Sequence, residues 1–141
     1  MKCGNSMIFY QFIEHKLQEL NDIIEEVNGP TPWVGPVVII PKPSGDIRLC
    51  IDMRKANKTI ERECHPIPTV DDILHNLNGR TTFTKLDLKY GFHQIELNEK
   101  SRNITTFLTH QSLYRYKRLS FSVNSAPELN QHVIQQIVAG C

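Results

Sequence analysis

Phe83-Thr-Lys-Leu-Asp87-Leu-Lys-Tyr-Gly91-Phe92-His-Gln-Ile95 sets an acid where an alternating run gives way to an aromatic-rich turn. Over Thr81–Leu88 the period of two predicts a buried strand. Phe83, Lys85 and Asp87 share one face; Thr82, Thr84, Leu86 and Leu88 share the other. A carboxylate at a strand end is a candidate metal ligand. Taken alone, such an Asp is more often a turn or cap residue.

Downstream, Ile104–Thr109 and Leu113–Arg118 predict a hairpin turning through His110-Gln-Ser112. A last helix is expected from Ser125. Ser125-Ala-Pro-Glu128 has capping-box spacing, with proline in the first turn, where a missing N–H costs nothing. Leu129, Val133, Ile134, Ile137 and Val138 give that helix its apolar face. Tyr114-Arg-Tyr-Lys-Arg118 interleaves aromatics with cations, and Arg115 and Lys117 read as a solvated strand face.

Upstream, His65-Pro-Ile-Pro68 enforces an extended approach to a helix starting at Thr69. Thr69 and Asp72 have capping-box spacing, Ile73, Leu74 and Leu77 are expected to bury, and Asn78-Gly79 ends the helix. Asp71-Asp72 is an obvious candidate metal pair. Acids in a first turn also favour the positive end of the helix dipole, which explains the pair without a metal.

Earlier still, Val37–Ile40 and Ile47–Asp52 predict a hairpin through the turn residues Lys42-Pro-Ser-Gly-Asp46. Ile47, Leu49 and Ile51 face one side; Arg48, Cys50 and Asp52 face the other. Met53–Glu63 reads as a polar, basic loop with a helical turn. At the start, Phe9, Ile13, Leu17, Leu20, Ile24 and Val27 recur at steps of three and four, predicting one amphipathic helix stopped by Asn28-Gly29-Pro30. The order helix, hairpin, helix, strand, hairpin, helix is α+β, not an alternating parallel pattern.

The chain has 141 residues, 40% hydrophobic and 22% charged, a balance that supports a folded core. A net charge of +1 excludes a strongly basic nucleic-acid tail but allows a local basic groove. Cys3, Cys50, Cys64 and Cys141 form no CxxC pair, and Cys64 beside His65 does not close a zinc site alone. Reduced thiols in an intracellular protein are the expected state; cytoplasm and nucleus are not distinguished. No signal peptide and no membrane span are expected.

Six stretches in compact order carry a resemblance: TPWVGPVVIIPKPSGDIRLCIDMRKAN, HPIPTVDDILHNLNG, FTKLDLKYGFHQIEL, ITTFLTH, LYRYKRL and NSAPE. Together, from about Phe12 to Cys141, they resemble the reverse transcriptase domain of gypsy-type long-terminal-repeat retrotransposons. The resemblance implies a right-hand fold, here fingers plus partial palm. Its expected parts are an N-terminal helix over 1–30, a fingers-like region over 31–80 and a partial palm over 81–141. It implies RNA-directed addition of deoxynucleotides to a primer 3′-end with Mg2+, or Mn2+. The implied partners are an RNA or DNA template–primer and deoxynucleoside triphosphates, with no membrane.

The same resemblance implies residue roles. Asp87 would bind the catalytic metal ions, with the Leu88 carbonyl joining one of them. Lys42 and Arg48 would grip the triphosphate, and guanidinium suits phosphate oxygens bidentately. Phe92 would be the ring that collides with a 2′-hydroxyl. Phe121 and Ser122 would line the nucleotide pocket, while Asp52, Arg54 and Gln94 would lie toward template and primer. His93 reads as structural.

Some positions depart from that family. Ser122 stands where glycine is usual, adding a Cβ that could strain a close approach or a positive φ. Ser112 replaces a turn glycine, and Asn130 replaces an aromatic on the last helix. The paired aspartates of the second acidic motif, the rest of the palm, the thumb and ribonuclease H are expected beyond Cys141. Two-metal transfer needs those acids, so no turnover is expected from this chain alone. The alternatives are a non-catalytic remnant of a retrotransposon polyprotein that binds nucleic acid or protein, a decayed remnant without function, and a hydrolase built on Asp71-Asp72 and Asp87.

Overall fold

The computed structural model describes the backbone of residues 4–45, 47–62 and 65–140, and side chains from Tyr10 onward within those ranges. Helix α1 (Gly4–Glu19) leads into a short strand β1 (Ile24–Glu26). A hairpin follows, β2 (Gly35–Pro41) and β3 (Ile47–Ile51), then helices α2 (Arg54–Asn57) and α3 (Val70–Leu77). Helix α4 (Glu99–Arg102), a second hairpin of β4 (Phe107–Leu108) and β5 (Leu113–Tyr116), and helix α5 (Ala126–Ala139) complete the chain. The fold is α+β, as the sequence predicts.

The strands form one sheet in the order β1-β5-β4-β2-β3. Both predicted hairpins are present: Ile39 pairs with Leu49, and Phe107 with Tyr114. Ile47, Leu49 and Ile51 are buried while Arg48 is exposed, so the predicted faces hold. Strands β2 and β4 run parallel through Gly35↔Phe107 and Pro36↔Leu108. Gly35 is required at that junction, because a Cβ there would meet Ile51 Cγ2 at 2.7 Å. The core lies between α1, the sheet and the 119–126 loop, centred on Ile13, Leu17, Leu49, Phe107, Tyr116 and Leu119.

Five expectations are corrected. The first helix does not run to Val27. It ends at Glu19, the chain folds through Leu20–Ile23, and Ile24 pairs with Tyr116 of β5. Steps of three and four through Leu20, Ile24 and Val27 cannot exclude a strand, and pairing with a distant strand decides the matter.

Thr81–Leu88 is not a buried strand. It has no strand assignment and is exposed throughout, with Phe83 at 61% and Leu86 at 83% exposure. A strand exists only where a neighbour takes up its N–H and C=O groups, and none of β1–β5 pairs with this segment.

Helix α3 forms as predicted, with Thr69 Oγ1 accepting from the Asp72 N–H and the Asp72 carboxylate accepting from the Thr69 N–H, and with Gly79 at φ 75° just past its end. Its apolar face does not bury, however: Ile73, Leu74 and Leu77 stay 47%, 59% and 42% exposed. The capping box marks where the helix starts, but no described element packs over its apolar face, the contact from which a helix of eight residues draws most of its stability.

At α5, Ser125 makes no side-chain cap bond. Glu128, its expected partner, instead binds the Arg62 guanidinium, which holds the carboxyl below its usual range. Arg115 also departs from a freely solvated face, since its Nε donates to Glu25 at 2.6 Å. Cys3, Cys64 and Cys141 lie outside the described residues, as do Asp46 and the Phe9 side chain; Cys50 is a free thiol.

Candidate nucleotide site

The β2–β3 hairpin carries two cations toward one cleft. Lys42 follows the end of β2, and Arg48 sits on the exposed face of β3, opposite Ile40. The opposing wall comes from the turn after Asp87. Tyr90 adopts φ 54°, ψ 42°, a left-handed conformation rarely taken by an aromatic residue, and starts a 3₁₀ turn over Gly91–Gln94. The Gln94 side-chain amide closes that turn by donating to the Lys89 carbonyl at 2.9 Å.

Residues 95–97 then run beside 117–119, with the Leu119 N–H donating to the Ile95 carbonyl at 2.8 Å and the Leu97 N–H to the Lys117 carbonyl at 2.8 Å. That anchoring sets Phe92 half-buried against the core. The result is a cleft of about 720 Å³ in which Lys42, Arg48, Phe92, Phe121, Tyr90 and Lys16 all take part. Its lining combines cations with rings, and Lys16 is paired there with Glu19 at 2.6 Å. Such a cleft offers charge to phosphates and flat apolar surface to a base or sugar.

Asp87 and Leu88 lie across Phe92 from this cleft. They line an adjoining one of about 420 Å³ together with Gly91, Phe92, Asn130 and Ile134. Phe92 and Gly91 are the shared wall. Asp87 is thus near the nucleotide cleft but not in its lining. Among the described residues no three His, Cys, Asp or Glu side chains stand together. One carboxylate, one carbonyl and the Asn130 amide are not a donor set for magnesium, which takes near-octahedral oxygen ligation from carboxylates, phosphates and water.

The template-side candidates sit apart. Arg54 donates through Nε to Asp52 Oδ1 at 2.9 Å and through Nη2 to Oδ2 at 2.6 Å, and its backbone N–H reaches Oδ1 at 3.1 Å. This forked pair brings the Asp52 carboxyl down to about 2. Both residues line a separate groove of about 560 Å³ with Trp33, Lys55 and Lys58.

His93 lies between Tyr90 and Tyr116, at ring-centroid distances of 6.2 and 6.3 Å. Burial, and then the Arg118 cation, lower its pKa. The Tyr116 phenol is pushed up to about 12, chiefly by burial. Asp72 accepts from Thr69, which lowers its pKa and leaves it serving the helix cap.

Ser122 does not line the cleft, and it carries no positive φ. The positive φ that would strain a serine in place of glycine is therefore absent. Its carbonyl accepts from the Asn57 side chain at 3.0 Å. Sequence reasoning missed Asn57, Tyr90 and Lys16. Tyrosine gives no hint of a left-handed turn, and the Asn57 contact spans 65 residues.

The model of the family described as "Reverse transcriptase (RNA-dependent DNA polymerase)" matches residues 40–141. The chain belongs to the reverse transcriptase family. Such enzymes depend in general on divalent metal ions.

This reverse transcriptase chain is 41% identical over 111 residues to the retrovirus-related Pol polyprotein from transposon 412 of Drosophila melanogaster, covering 74% of this chain and 9% of that one. It is 35% identical over 133 residues to the Pol polyprotein from transposon 297 of the same fly, covering 89% and 12%. The prototype foamy virus protease–reverse transcriptase superposes with a TM-score of 0.77 at 24% identity, covering 92% of this chain and 17% of that one. A structure of the foamy viral enzyme with an RNA/DNA hybrid matches at 0.75 and 19% identity, covering 96% and 18%. The chain thus spans about a tenth of the length of the curated relatives it matches. Among the described residues no helix is long and apolar enough to cross a membrane.

Proposed function

We propose that this chain is the fingers and first half of the palm of a gypsy-type reverse transcriptase, with residues 31–80 as fingers and 81–141 as partial palm. It supplies the deoxynucleoside triphosphate grip of an RNA-directed DNA polymerase. The observation that carries this is the convergence of Lys42, Arg48, Phe92 and Phe121 on one cleft from three separate stretches of chain. In this reading Lys42 and Arg48 take the triphosphate, Phe92 excludes a 2′-hydroxyl, and Phe121 lines the pocket. In the same reading Asp87 and Leu88 contribute one side of a metal site whose remaining acids are not brought together among the described residues. No step of the transfer is assigned to the chain alone.

Binding of dTTP to the chain tests the grip. Arg48→Ala should weaken it about tenfold or more, the scale of a charge-assisted hydrogen-bonded contact. Equal binding by that variant would sink the assignment. Primer extension on an RNA template tests the rest: no template-dependent incorporation is expected, and incorporation lost in Asp87→Asn would show the chain to be a polymerase by itself.

The groove of Trp33, Arg54, Lys55 and Lys58 favours a second reading, a retained nucleic-acid-binding module. An aromatic beside Lys55 and Lys58, with Arg54 already paired to Asp52, offers a strand both stacking surface and charge. That reading requires duplex binding that falls steeply with salt. Flat titrations at low salt would remove it.

A further inference from the structure

We propose that Asn57 is a positioning residue that fixes Phe121 in the nucleotide cleft. The inference rests on reading that cleft as a deoxynucleotide site. Asn57 is the last residue of α2, and it reaches the loop after Leu119 with both ends of its carboxamide. Its Nδ2 donates to the Ser122 carbonyl at 3.0 Å, and its Oδ1 accepts from the Asn124 N–H at 3.1 Å. The Asn124 side chain returns a third bond, Nδ2 donating to the Asn57 carbonyl at 3.3 Å. Two bonds therefore join a fingers helix to the backbone on the C-terminal side of Phe121, and a third comes from the Asn124 side chain.

The loop also has ties of its own: the Val123 N–H donates to the Ser120 carbonyl at 3.1 Å, and the Leu119 N–H to the Ile95 carbonyl at 2.8 Å. The Ser122 N–H donates to Ser120 Oγ at 3.3 Å, and Leu119, Ser120 and Val123 are buried. Phe121 itself is 44% exposed, so core packing does not seat its ring. What fixes it is the backbone on either side, and that backbone is held by Leu119 and Val123 in the core, by the turn bond from Val123 to Ser120, and by Asn57 from the fingers. A carboxamide suits this task because it donates and accepts at once. Alanine removes both bonds; aspartate keeps the acceptor for Asn124 and loses the donor to Ser122.

The same stretch links two walls of the cleft. Arg48 stands on β3, and β3 leads through Met53, 4% exposed, directly into α2. The strand that carries Arg48 thus runs through a buried residue into the helix whose last residue ties down the loop of Phe121.

The full chain is titrated with dTTP and magnesium while NMR follows the Phe121 ring and the Asn124 amide. Asn57→Ala should raise the dissociation constant about fivefold to tenfold and speed Asn124 amide exchange about tenfold. In a Phe121→Ala background the same change should alter affinity less than about twofold. A merely structural asparagine would give the same factor in both backgrounds, and that result overturns the proposal. So does unchanged Asn124 exchange.

If Asn57→Ala loses its folded spectrum, Asn57→Asp decides. It should keep the Asn124 amide protected yet weaken dTTP, and unchanged affinity there also overturns the proposal. Absence of dTTP binding by the unsubstituted chain, or equal binding by Arg48→Ala, instead overturns the nucleotide reading. The seating of Phe121 is then read from its ring shifts, which move in Asn57→Ala if Asn57 sets the ring and stay fixed if it does not.

Discussion

The five-stranded sheet and the stretch from Pro66 to Tyr90 obey different rules. Around the sheet, alternating residues disappear into a common core, and Phe107 is wholly buried. From Pro66 to Tyr90 every residue is exposed, although the stretch contains Ile73, Leu74, Leu77, Phe83, Leu86 and Leu88. Helix α3 nonetheless has a complete capping box. Local rules shape a helix in either region. Burial requires a partner surface, which the sheet has in α1 and the 119–126 loop and which the second region lacks among the described residues.

The sharpest way to break this contrast is to cut apolar side chains in each region. Phe107→Ala should cost about 3–5 kcal/mol in urea unfolding, the scale of a truncated core aromatic. Leu86→Ala, at 83% exposure, should cost within about 0.5 kcal/mol. Similar losses at the two sites would mean that Leu86 is buried after all.

A smaller effect separates local from global order. Thr69→Ala removes the α3 cap and should cost the helix about 1 kcal/mol. Amides of α3 should then exchange faster while those of β2 and β3 keep their protection. A fall in protection across the sheet would show the two regions to be one cooperative unit.

The smallest effect concerns charge. Arg54 lowers the Asp52 carboxyl from 3.8 to about 2. A carboxyl lowered on folding stabilises the native state above its unfolded value and loses that contribution as pH falls from about 3.8 toward 2. Arg54→Ala should return the Asp52 titration, followed by carboxyl carbon NMR, toward the usual range and flatten this acid limb. An unmoved titration would refute the pair.

The legible parts share a cause. The β2–β3 hairpin was readable because its alternation, turn and pairing all lie within seventeen residues, Gly35 to Ile51. Helix α3 was readable because its cap is made from Thr69 and Asp72, three residues apart. The unreadable parts depend on residues far along the chain. Ile24 becomes a strand residue through Tyr116, and Glu128 leaves its cap for Arg62. The candidate site divides the same way. Lys42, Arg48 and Phe92 stood out by their motifs, whereas Asn57 works through Ser122 and Asn124 and has no local mark.

The parallel junction at Gly35 has a consequence for the order in which the molecule assembles. Each hairpin closes a short loop, a fast and local event. Joining them requires Gly35 to find Phe107, and β1 must reach β5 across about ninety residues, as Glu25 and Arg115 do. Closure of such long loops is the slow stage for a sheet of this topology. The two halves of the nucleotide cleft, one on each side of that junction, therefore come into being late and together.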